Sequence, residues 1–204
     1  KDPSPPGYFC VSTSYRNEAN PIPGRHDIIF PMFEFELKGD IEDLIKLEKD
    51  LLTHLGYKSE CFPEMKYEEA AARYGVKDLE HEHEQKMCEE FGPVFFLRDF
   101  PEYTSPFWNM NRYEDSRYSK KVDVIISGME TIGSAERSCD TEQMRNSFNT
   151  ISDGGYAQLI YDHFGKDRVD KELEEFLTNK FMVRSGGGIG LTRLISSMIK
   201  EELI

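Results

Sequence analysis

The sequence has few cysteines, and their spacing argues against both a zinc site and a disulfide framework. The chain of 204 residues contains only Cys10, Cys61, Cys88 and Cys139, which lie far apart and form no CxxC pair. Zinc sites and small disulfide-bonded domains are usually marked by cysteines at short, repeated spacings. We therefore expect free thiols and a reducing, cytoplasmic location.

Long apolar runs and an excess of basic charge are also missing. No stretch approaches the roughly 20 apolar residues that a membrane-spanning helix needs, and the first residues lack the charged-then-apolar pattern of a secretory leader. The net charge of −13 disfavours sequence-independent binding of nucleic acid, because such binding needs a basic surface. A local basic pocket stays compatible with this charge, and we expect no membrane partner.

The composition that is present is that of a globular domain, with 38% hydrophobic and 12% aromatic residues. A chain of this length can bury a substantial core. Its predicted strands come in blocks separated by several helices and do not alternate with single helices. This order predicts an α+β fold, with an antiparallel sheet flanked by helices. The glycine run GGGIG lacks the GxGxxG spacing of a dinucleotide-binding fingerprint.

Hydrophobic periodicity and turn residues predict the order of the elements. The predicted strands are 8–15, 28–37, 57–62, 93–98, 107–110, 118–126, 130–137 and 181–184. The predicted helices are 41–55, 67–74, 78–91, 141–148, 155–164, 167–179 and 191–202. The EHEHE run at 80–84 is interpreted as a solvated face, because His81 and His83 point to different sides of a helix.

The predicted hairpin at 15–36 carries the first chemistry-bearing group. Arg16 and Glu18 are two residues apart on its first strand, so they share a face. On the return strand a ring and two carboxylates share a face in the same way: Phe30, Met32, Glu34 and Glu36. Such a face suits an anionic, aromatic ligand such as a nucleotide. From this stretch alone, a surface hairpin with cross-strand ion pairs is the alternative.

Asp123 and Glu130 lie on consecutive predicted strands, where two carboxylates can hold Mg²⁺ through oxygen ligands. Asp123 falls in the apolar run VDVII, where an unpaired charge would be costly, so we expect a compensating cation. A pair of solvated acids is the alternative. Arg137 follows Glu130 by seven residues and would face the other way on a regular strand. A β-bulge at Gly133-Ser134 would bring both to one face.

The segment GGGIGLTR carries the last group. Its glycines allow backbone and ligand to approach closely, and the start of the helix that follows favours anions. Arg193 lies just inside this helix. A glycine run that merely precedes a helix is the alternative.

In this order, YRNE, RHDIIFPMFEFE, the Asp123–Glu130–Arg137 series and GGGIGLTR resemble the catalytic core of class II aminoacyl-tRNA synthetases of the aspartate/asparagine subgroup. The hairpin is similar to motif 2 of that family and the glycine segment to motif 3. The resemblance covers nearly the whole chain, so 1–204 is expected to be one catalytic domain without motif 1 or an anticodon-binding domain. It implies the class II catalytic fold, ATP and Mg²⁺ as cofactors, and a homodimer.

The resemblance also implies a role for each matched residue. Arg16 would contact the α-phosphate, Glu18 the adenine amino group, and Phe30 and Arg193 the two sides of the adenine ring, with Arg16 and Arg193 as catalytic residues. The full ATP-binding set would be Arg16, Glu18, Arg25, His26, Phe30, Glu130, Gly190 and Arg193. The amino acid would be bound by Glu34, Arg137, Ser134 and Gly188, and the metal by Asp123 and Glu130.

Two departures from the family pattern bear on the acceptor. The hairpin loop NPIPG is proline-rich and slightly long, and the hydroxyl expected three residues after Glu130 is replaced by Gly133, with Ser134 one position late. Together with the missing barrel, the altered loop favours an aspartate–ammonia ligase, in which ATP activates aspartate and ammonia attacks the aspartyl-adenylate to give asparagine.

Two other interpretations remain open. One is the catalytic domain of an asparaginyl- or aspartyl-tRNA synthetase, with tRNA as the acceptor. The other is a non-catalytic paralogue that acts as a binding module. The choice between aspartate and asparagine also stays open, because Arg137 would tolerate a carboxylate or an amide oxygen.

Overall fold

A computed structural model describes residues 6–17, 20–58, 62–114 and 117–204. Within these ranges the strands are β1 (Gly7–Tyr15), β2 (Ile29–Lys38), β3 (Glu64–Lys66), β4 (Val94–Pro101), β5 (Tyr118–Ile126), β6 (Met129–Arg137) and β7 (Arg184–Gly190). The helices are α1 (Ile41–His54), α2 (Tyr67–Tyr74), α3 (His81–Phe91), α4 (Thr141–Thr150), α5 (Gly155–Phe164), α6 (Lys166–Leu177) and α7 (Leu191–Lys200). None of the described helices is long and apolar enough to cross a membrane.

The strands form one sheet in the order β1-β2-β7-β6-β5-β4-β3. Neighbouring strands are antiparallel except for β3, which pairs with β4 in parallel. The predicted α+β class, an antiparallel sheet flanked by helices, is therefore confirmed. Strand β7 comes from the end of the chain but inserts between β2 and β6. It thereby places the glycine run beside both the hairpin and the Asp123–Glu130 strands.

The glycine run is itself a strand, which corrects the prediction of a strand at 181–184. Strand β7 has a neighbour on each side, and its glycines leave room for side chains of those neighbours. A Cβ atom at Gly188 would lie 2.5 Å from Met32 Cε, and one at Gly186 would lie 2.5 Å from Glu36 Cδ. The absence of side chains at these glycines therefore leaves space beside β7 for the side chains of β2.

Two further predicted strands are wrong. Residues 107–110 form a turn with a single bridge between Met110 and Arg137. The guanidinium of Arg112 holds this turn, because it donates to the carbonyl oxygens of Pro106 (3.1 Å) and Met110 (2.5 Å). The predicted strand at 57–62 is replaced by β3 farther along, and residues 59–61 lie outside the described ranges.

The two faces of the sheet are covered differently. Alternating residues of β5, such as Val122 and Val124, pack with α1 and α7 in a core that extends under the five strands from β2 to β4 in the sheet order. On the opposite face, Ile125 belongs to a second core in which α2 and α3 cover only the β4–β5 side. We call this partly covered side the upper face. Over its β2–β7–β6 region, α3 reaches only the start of β6, and no other helix of the described residues packs there.

Glu48 of α1 is buried beneath the sheet. Its Oε1 accepts a hydrogen bond of 2.6 Å from Ser134 Oγ, and its Oε2 is buried with no hydrogen-bond partner within the described ranges. Burial raises the pKa of Glu48 from 4.5 to about 8; the bond from Ser134 opposes this shift, and the charge of Asp123 adds to it. Glu48 is therefore mostly protonated at neutral pH in the folded protein.

This pKa predicts a specific pH dependence of stability. Between about pH 4.5 and pH 8 the folded protein holds a proton on Glu48 that the unfolded chain releases, so this group's contribution to stability falls as pH rises. Glu48→Gln keeps the shape without the ionisation. We expect the melting temperature of Glu48→Gln to rise relative to that of the wild type as the pH is raised from 5 to 8. Melting curves with a constant offset over this range would contradict the prediction.

Candidate active site

The uncovered upper face forms the floor of a cavity of about 730 Å³, which we call the main cavity. Three guanidinium groups and two imidazoles line it, together with four carboxylates. The basic groups come from the hairpin, from the start of α3 and from the start of α7: Arg16, Arg25, His26, His81 and Arg193. The three arginines lie close enough for their charges to interact, and anionic groups of a ligand would be stabilised beside them.

The hairpin places an aromatic ring beside the first of these cations. The last pair of the β1–β2 ladder joins Tyr15 to Ile29, and Arg16 N then donates to Ile28 O at 2.8 Å. The guanidinium carbon of Arg16 lies 5.2 Å from the ring centroid of Phe30. Phe30 also lines the main cavity, so ring and cation lie together as predicted from the hairpin pattern. Glu18 lies outside the described residues.

Arg193 joins three parts of the main cavity. Its Nη1 donates to the carbonyl oxygen of Glu130, and its Nη2 donates to that of Arg25 at 3.2 Å. Gly190 precedes the first residue of α7 and also lines the cavity. Burial lowers the pKa of Arg193, and the nearby Glu130 charge opposes this effect. The guanidinium stays charged at neutral pH because its ordinary pKa is far above 7.

Helix α3 supplies a residue of the site that the sequence analysis missed. Glu84 accepts hydrogen bonds from the Arg25 guanidinium and, at 3.1 Å, from the backbone N–H of Glu130. The side chains of Arg25 and Glu84 are only 15% and 19% exposed. His83 is also buried, and its Nδ1 accepts from Glu80 N at 2.9 Å. The interpretation of EHEHE as a solvated face is therefore wrong for its C-terminal half.

Asp123 and Glu130 converge across Gly133. A Cβ atom built on Gly133 would lie 3.0 Å from Glu130 Oε1 and 3.6 Å from Asp123 Oδ1. Asp123 Oδ1 is buried and has no hydrogen-bond partner among the described residues. Two facing carboxylate oxygens, one of them unpaired, fit a hard divalent cation whose remaining ligands come from water or phosphate. Burial and the Glu130 charge raise the pKa of Asp123, while the ammonium of Lys121 opposes the rise.

A β-bulge brings Arg137 to the upper face, but not at the predicted position. Val124 pairs with Ile132 whereas Ile125 pairs with Glu130, so Thr131 is the extra residue of β6. The bulge thus lies two residues before Gly133. It leaves the side chains of Glu130, Gly133 and Arg137 on one face, as the chemistry requires.

A second cavity, of about 520 Å³, lies beside the main one and shares Gly133 and Gly188 with it. We call it the side pocket. Its polar lining consists mainly of Glu34, Glu36 and Arg137. Ser12 Oγ donates to Glu34 at 2.6 Å, and Arg137 Nε donates to Glu36 Oε1 at 2.8 Å. Glu36 Oε2 is buried and has no hydrogen-bond partner in the described part of the chain.

Among the predicted site residues that the structure describes, Ser134 and Asp123 line neither of these two cavities, but Ser134 alone lies on the opposite face of the sheet. The alternation of β6 directs it to the lower face, where it is buried and donates to Glu48 Oε1 and, at 3.3 Å, to Val122 O. Gly133, and not Ser134, occupies the position in the site. The one-residue delay of the hydroxyl relative to the family pattern therefore removes it from the site, because adjacent strand residues face opposite sides.

Three site residues had no assigned role in the sequence analysis: Lys121, Glu36 and Glu84. Two of them carried a readable signal. Lys121 precedes Asp123 by two residues, so the expected compensating cation was already present on the same face. Glu36 follows Glu34 by two residues and was assigned to the ligand-facing side of the hairpin. Glu84 carried no such signal, since its role depends on contacts distant in sequence.

Comparison with known proteins gives a consistent family match. A family model described as "tRNA synthetases class II (D, K and N)" matches residues 6–204. The aspartate–tRNA(Asp/Asn) ligase of Methanosphaera stadtmanae is 26% identical over 153 residues, which are 71% of this chain and 32% of that protein. The aspartate–tRNA(Asp) ligase of Pyrobaculum aerophilum is 24% identical over 149 residues, 67% and 31% of the two chains.

Solved structures match over almost the whole chain. The asparaginyl-tRNA synthetase of Pyrococcus horikoshii, complexed with asparaginyl-adenylate, has a TM-score of 0.74 at 21% identity, covering 95% of this chain and 49% of that one. The Entamoeba histolytica asparaginyl-tRNA synthetase with the same adenylate has a TM-score of 0.75 at 19% identity, covering 96% and 50%. This chain spans about a third of the curated relatives and about half of these structures.

The contact between Glu84 and Arg25 predicts a measurable effect on stability. Glu84→Gln removes the charge that neutralises Arg25, and we expect it to cost about 1–3 kcal/mol because the pair is largely buried. Glu82→Gln on the same helix is the matched control, since the Glu82 side chain is 65% exposed. Urea unfolding measures both. Equal, small effects of the two substitutions would contradict the assigned contact.

Proposed function

The chain belongs to the class II tRNA synthetase family described by the letters D, K and N, and we propose that it forms an aminoacyl-adenylate from ATP and asparagine and passes the aminoacyl group to tRNA. One observation carries this proposal. The main cavity, with its three arginines and the Phe30 ring, meets the side pocket at Gly133 and Gly188. A nucleotide phosphate and an amino-acid carboxylate would react at this junction.

In the main cavity, the adenine ring would lie between Phe30 and Arg193. Arg16 would bind the α-phosphate, and Arg25 and His26 the outer phosphates. The amino-acid carboxylate then attacks the α-phosphorus, an anhydride bond forms, and pyrophosphate leaves. Positive charge placed at the α-phosphate stabilises this transition state. Magnesium held by Asp123 and Glu130 would supply further positive charge to the leaving pyrophosphate.

The charges of the side pocket favour asparagine over aspartate. Glu34 would pair with the α-ammonium group of the substrate. Arg137 is already paired with Glu36, so the two together carry no net charge. A side-chain amide matches this pair, because its oxygen accepts from the Arg137 guanidinium and its NH₂ donates to the unpartnered Glu36 Oε2. A carboxylate would place a second negative charge beside Glu36, and the nearby Arg184 guanidinium, whose pKa is lowered by burial and raised by the Glu36 charge, would offset only part of it.

The family match supports tRNA as the acceptor better than ammonia. The curated relatives are tRNA ligases, and the matched family consists of tRNA synthetases. The argument for ammonia depended on a missing anticodon-binding barrel, and it loses its force because this chain spans only about a third of those relatives. We propose that residues 6–204 act as the catalytic domain. A homodimer remains a prediction.

The proposal predicts ATP–pyrophosphate exchange that depends on asparagine. We expect exchange with asparagine to exceed exchange with aspartate, and labelled asparagine to be transferred to added tRNA. Aspartate-dependent exchange that yields free asparagine on addition of ammonium would instead support the aspartate–ammonia ligase. No exchange with either amino acid would support the non-catalytic paralogue.

Arg16 gives a second test of the same mechanism. Arg16→Gln removes the guanidinium that would face the α-phosphate, and we expect the exchange rate to fall by about 10²-fold or more, as for the loss of one donor to a developing charge. Arg168→Gln on α6 removes the same charge at an exposed position and should leave the rate unchanged. An unaltered rate in Arg16→Gln would exclude the assigned role.

A further inference from the structure

Lys121 of β5 contacts the Asp123–Glu130 carboxylate pair through Asp123. Its ammonium forms an ion pair with Asp123 Oδ2, and the two side chains are 21% and 9% exposed. The Lys121 Nζ also lies 3.7 Å from the ring centroid of Phe100. Contact with an aromatic face stabilises an ammonium group, most strongly where water is partly excluded. The side chain is therefore held in place from two directions.

The two oxygens of Asp123 have different surroundings. Oδ2 accepts a hydrogen bond from Lys121. Oδ1 is buried, has no partner in the part of the chain that the structure describes, and lies near Gly133 and Glu130 Oε1. A cavity of about 250 Å³ lined by Lys121, Asp123 and Glu130 opens on this group and meets the main cavity at Glu84 and Glu130. A divalent cation that enters from either cavity would meet Asp123 Oδ1, which accepts no hydrogen bond from the described residues, and the positive charge of Lys121 beside it.

We propose that Lys121 is a tethered cation that weakens divalent-cation binding at Asp123 and Glu130 until nucleotide phosphates are present. With Lys121 the three side chains carry a net charge of −1, and without it the two carboxylates would carry −2. Repulsion between an ammonium group and a divalent cation a few ångströms apart is substantial inside a protein. Phosphate oxygens of ATP would restore the negative charge and supply the missing ligands, so the metal would enter with the nucleotide.

This proposal deepens the proposed function, since it concerns the metal that would act with ATP. The effect of Lys121 on divalent-cation binding can nevertheless be measured without nucleotide. Binding of Mn²⁺ to the nucleotide-free protein, followed by electron paramagnetic resonance, reports the site directly and needs no catalytic activity.

Lys121→Met is the central variant because methionine keeps the length of the side chain and its contact with Phe100 while removing the charge. We expect it to bind Mn²⁺ about tenfold or more tightly than the wild type, since one nearby positive charge is gone. Lys121→Gln should show the same gain, which guards against a folding defect of one variant. Lys121→Arg keeps the charge and should bind as weakly as the wild type.

Two controls locate the effect. Lys166→Met makes the same change of net charge on α6, at an exposed pair with Asp170, and should not alter Mn²⁺ binding. Adding Asp123→Asn to Lys121→Met should abolish the gain if the ion binds at Asp123. Thermal melting of each variant verifies that it is folded.

The outcomes separate the two proposals. Equal or weaker Mn²⁺ binding by both Lys121→Met and Lys121→Gln, in folded protein, would overturn the role of Lys121. A gain that survives the Asp123→Asn change would overturn it as well. A second measurement, with ATP added, tests the proposed function. The difference in Mn²⁺ affinity between the wild type and Lys121→Met should then become smaller. Failure to bind ATP in every variant would count against the proposed function and leave the nucleotide-free result standing.

Discussion

The close packing of β7 between β2 and β6 is the constraint on which the rest of the site depends. Without this insertion the hairpin arginines, the Asp123–Glu130 carboxylates and Arg193 would belong to separate parts of the sheet. Glycine is required at 186, because a Cβ atom there would lie 2.3 Å from the backbone oxygen of Phe35 in β2, and at 188 it leaves room for the end of the Met32 side chain. The same packing leaves β2, β7 and β6 side by side on the upper face, and these strands form the floor on which both cavities meet.

A second property of the site is that several of its charges are paired with other protein charges. Glu84 neutralises Arg25, Glu36 neutralises Arg137, and Lys121 neutralises Asp123. These pairs hold long side chains in defined positions before a ligand arrives, which lowers the ordering cost on binding. Each pair also alters what its partner can recognise, because a neutralised guanidinium or carboxylate attracts an opposite charge less strongly. The choice of ligand therefore depends on the counterions as much as on the residues of the family motifs.

Much of the fold and of the site could be predicted from the sequence, and the failures have identifiable physical causes. Strand β5 and helix α2 were predicted to the residue, because alternation and helical spacing are local signals. Residues 107–110 have strand-like composition, but hydrogen bonds from the Arg112 guanidinium to the backbone of Pro106 and Met110 hold them in a turn. The role of Glu84 likewise depends on Arg25, which is 59 positions away in sequence. Spacing within one element could not reveal either.

The extra residue Thr131 changes which residues of β6 face the two cavities. Before the bulge, even-numbered Glu130 faces the ligand side; after it, odd-numbered Gly133 and Arg137 do. The two parts of the strand therefore alternate out of phase. One part places the Glu130 carboxylate at the main cavity, and the other places the Arg137 guanidinium at the side pocket. Even-numbered Glu136, on the far side, accepts from the first backbone N–H of α1 at 3.0 Å. A single inserted residue therefore allows one strand to line both cavities on one face and to contact α1 on the other.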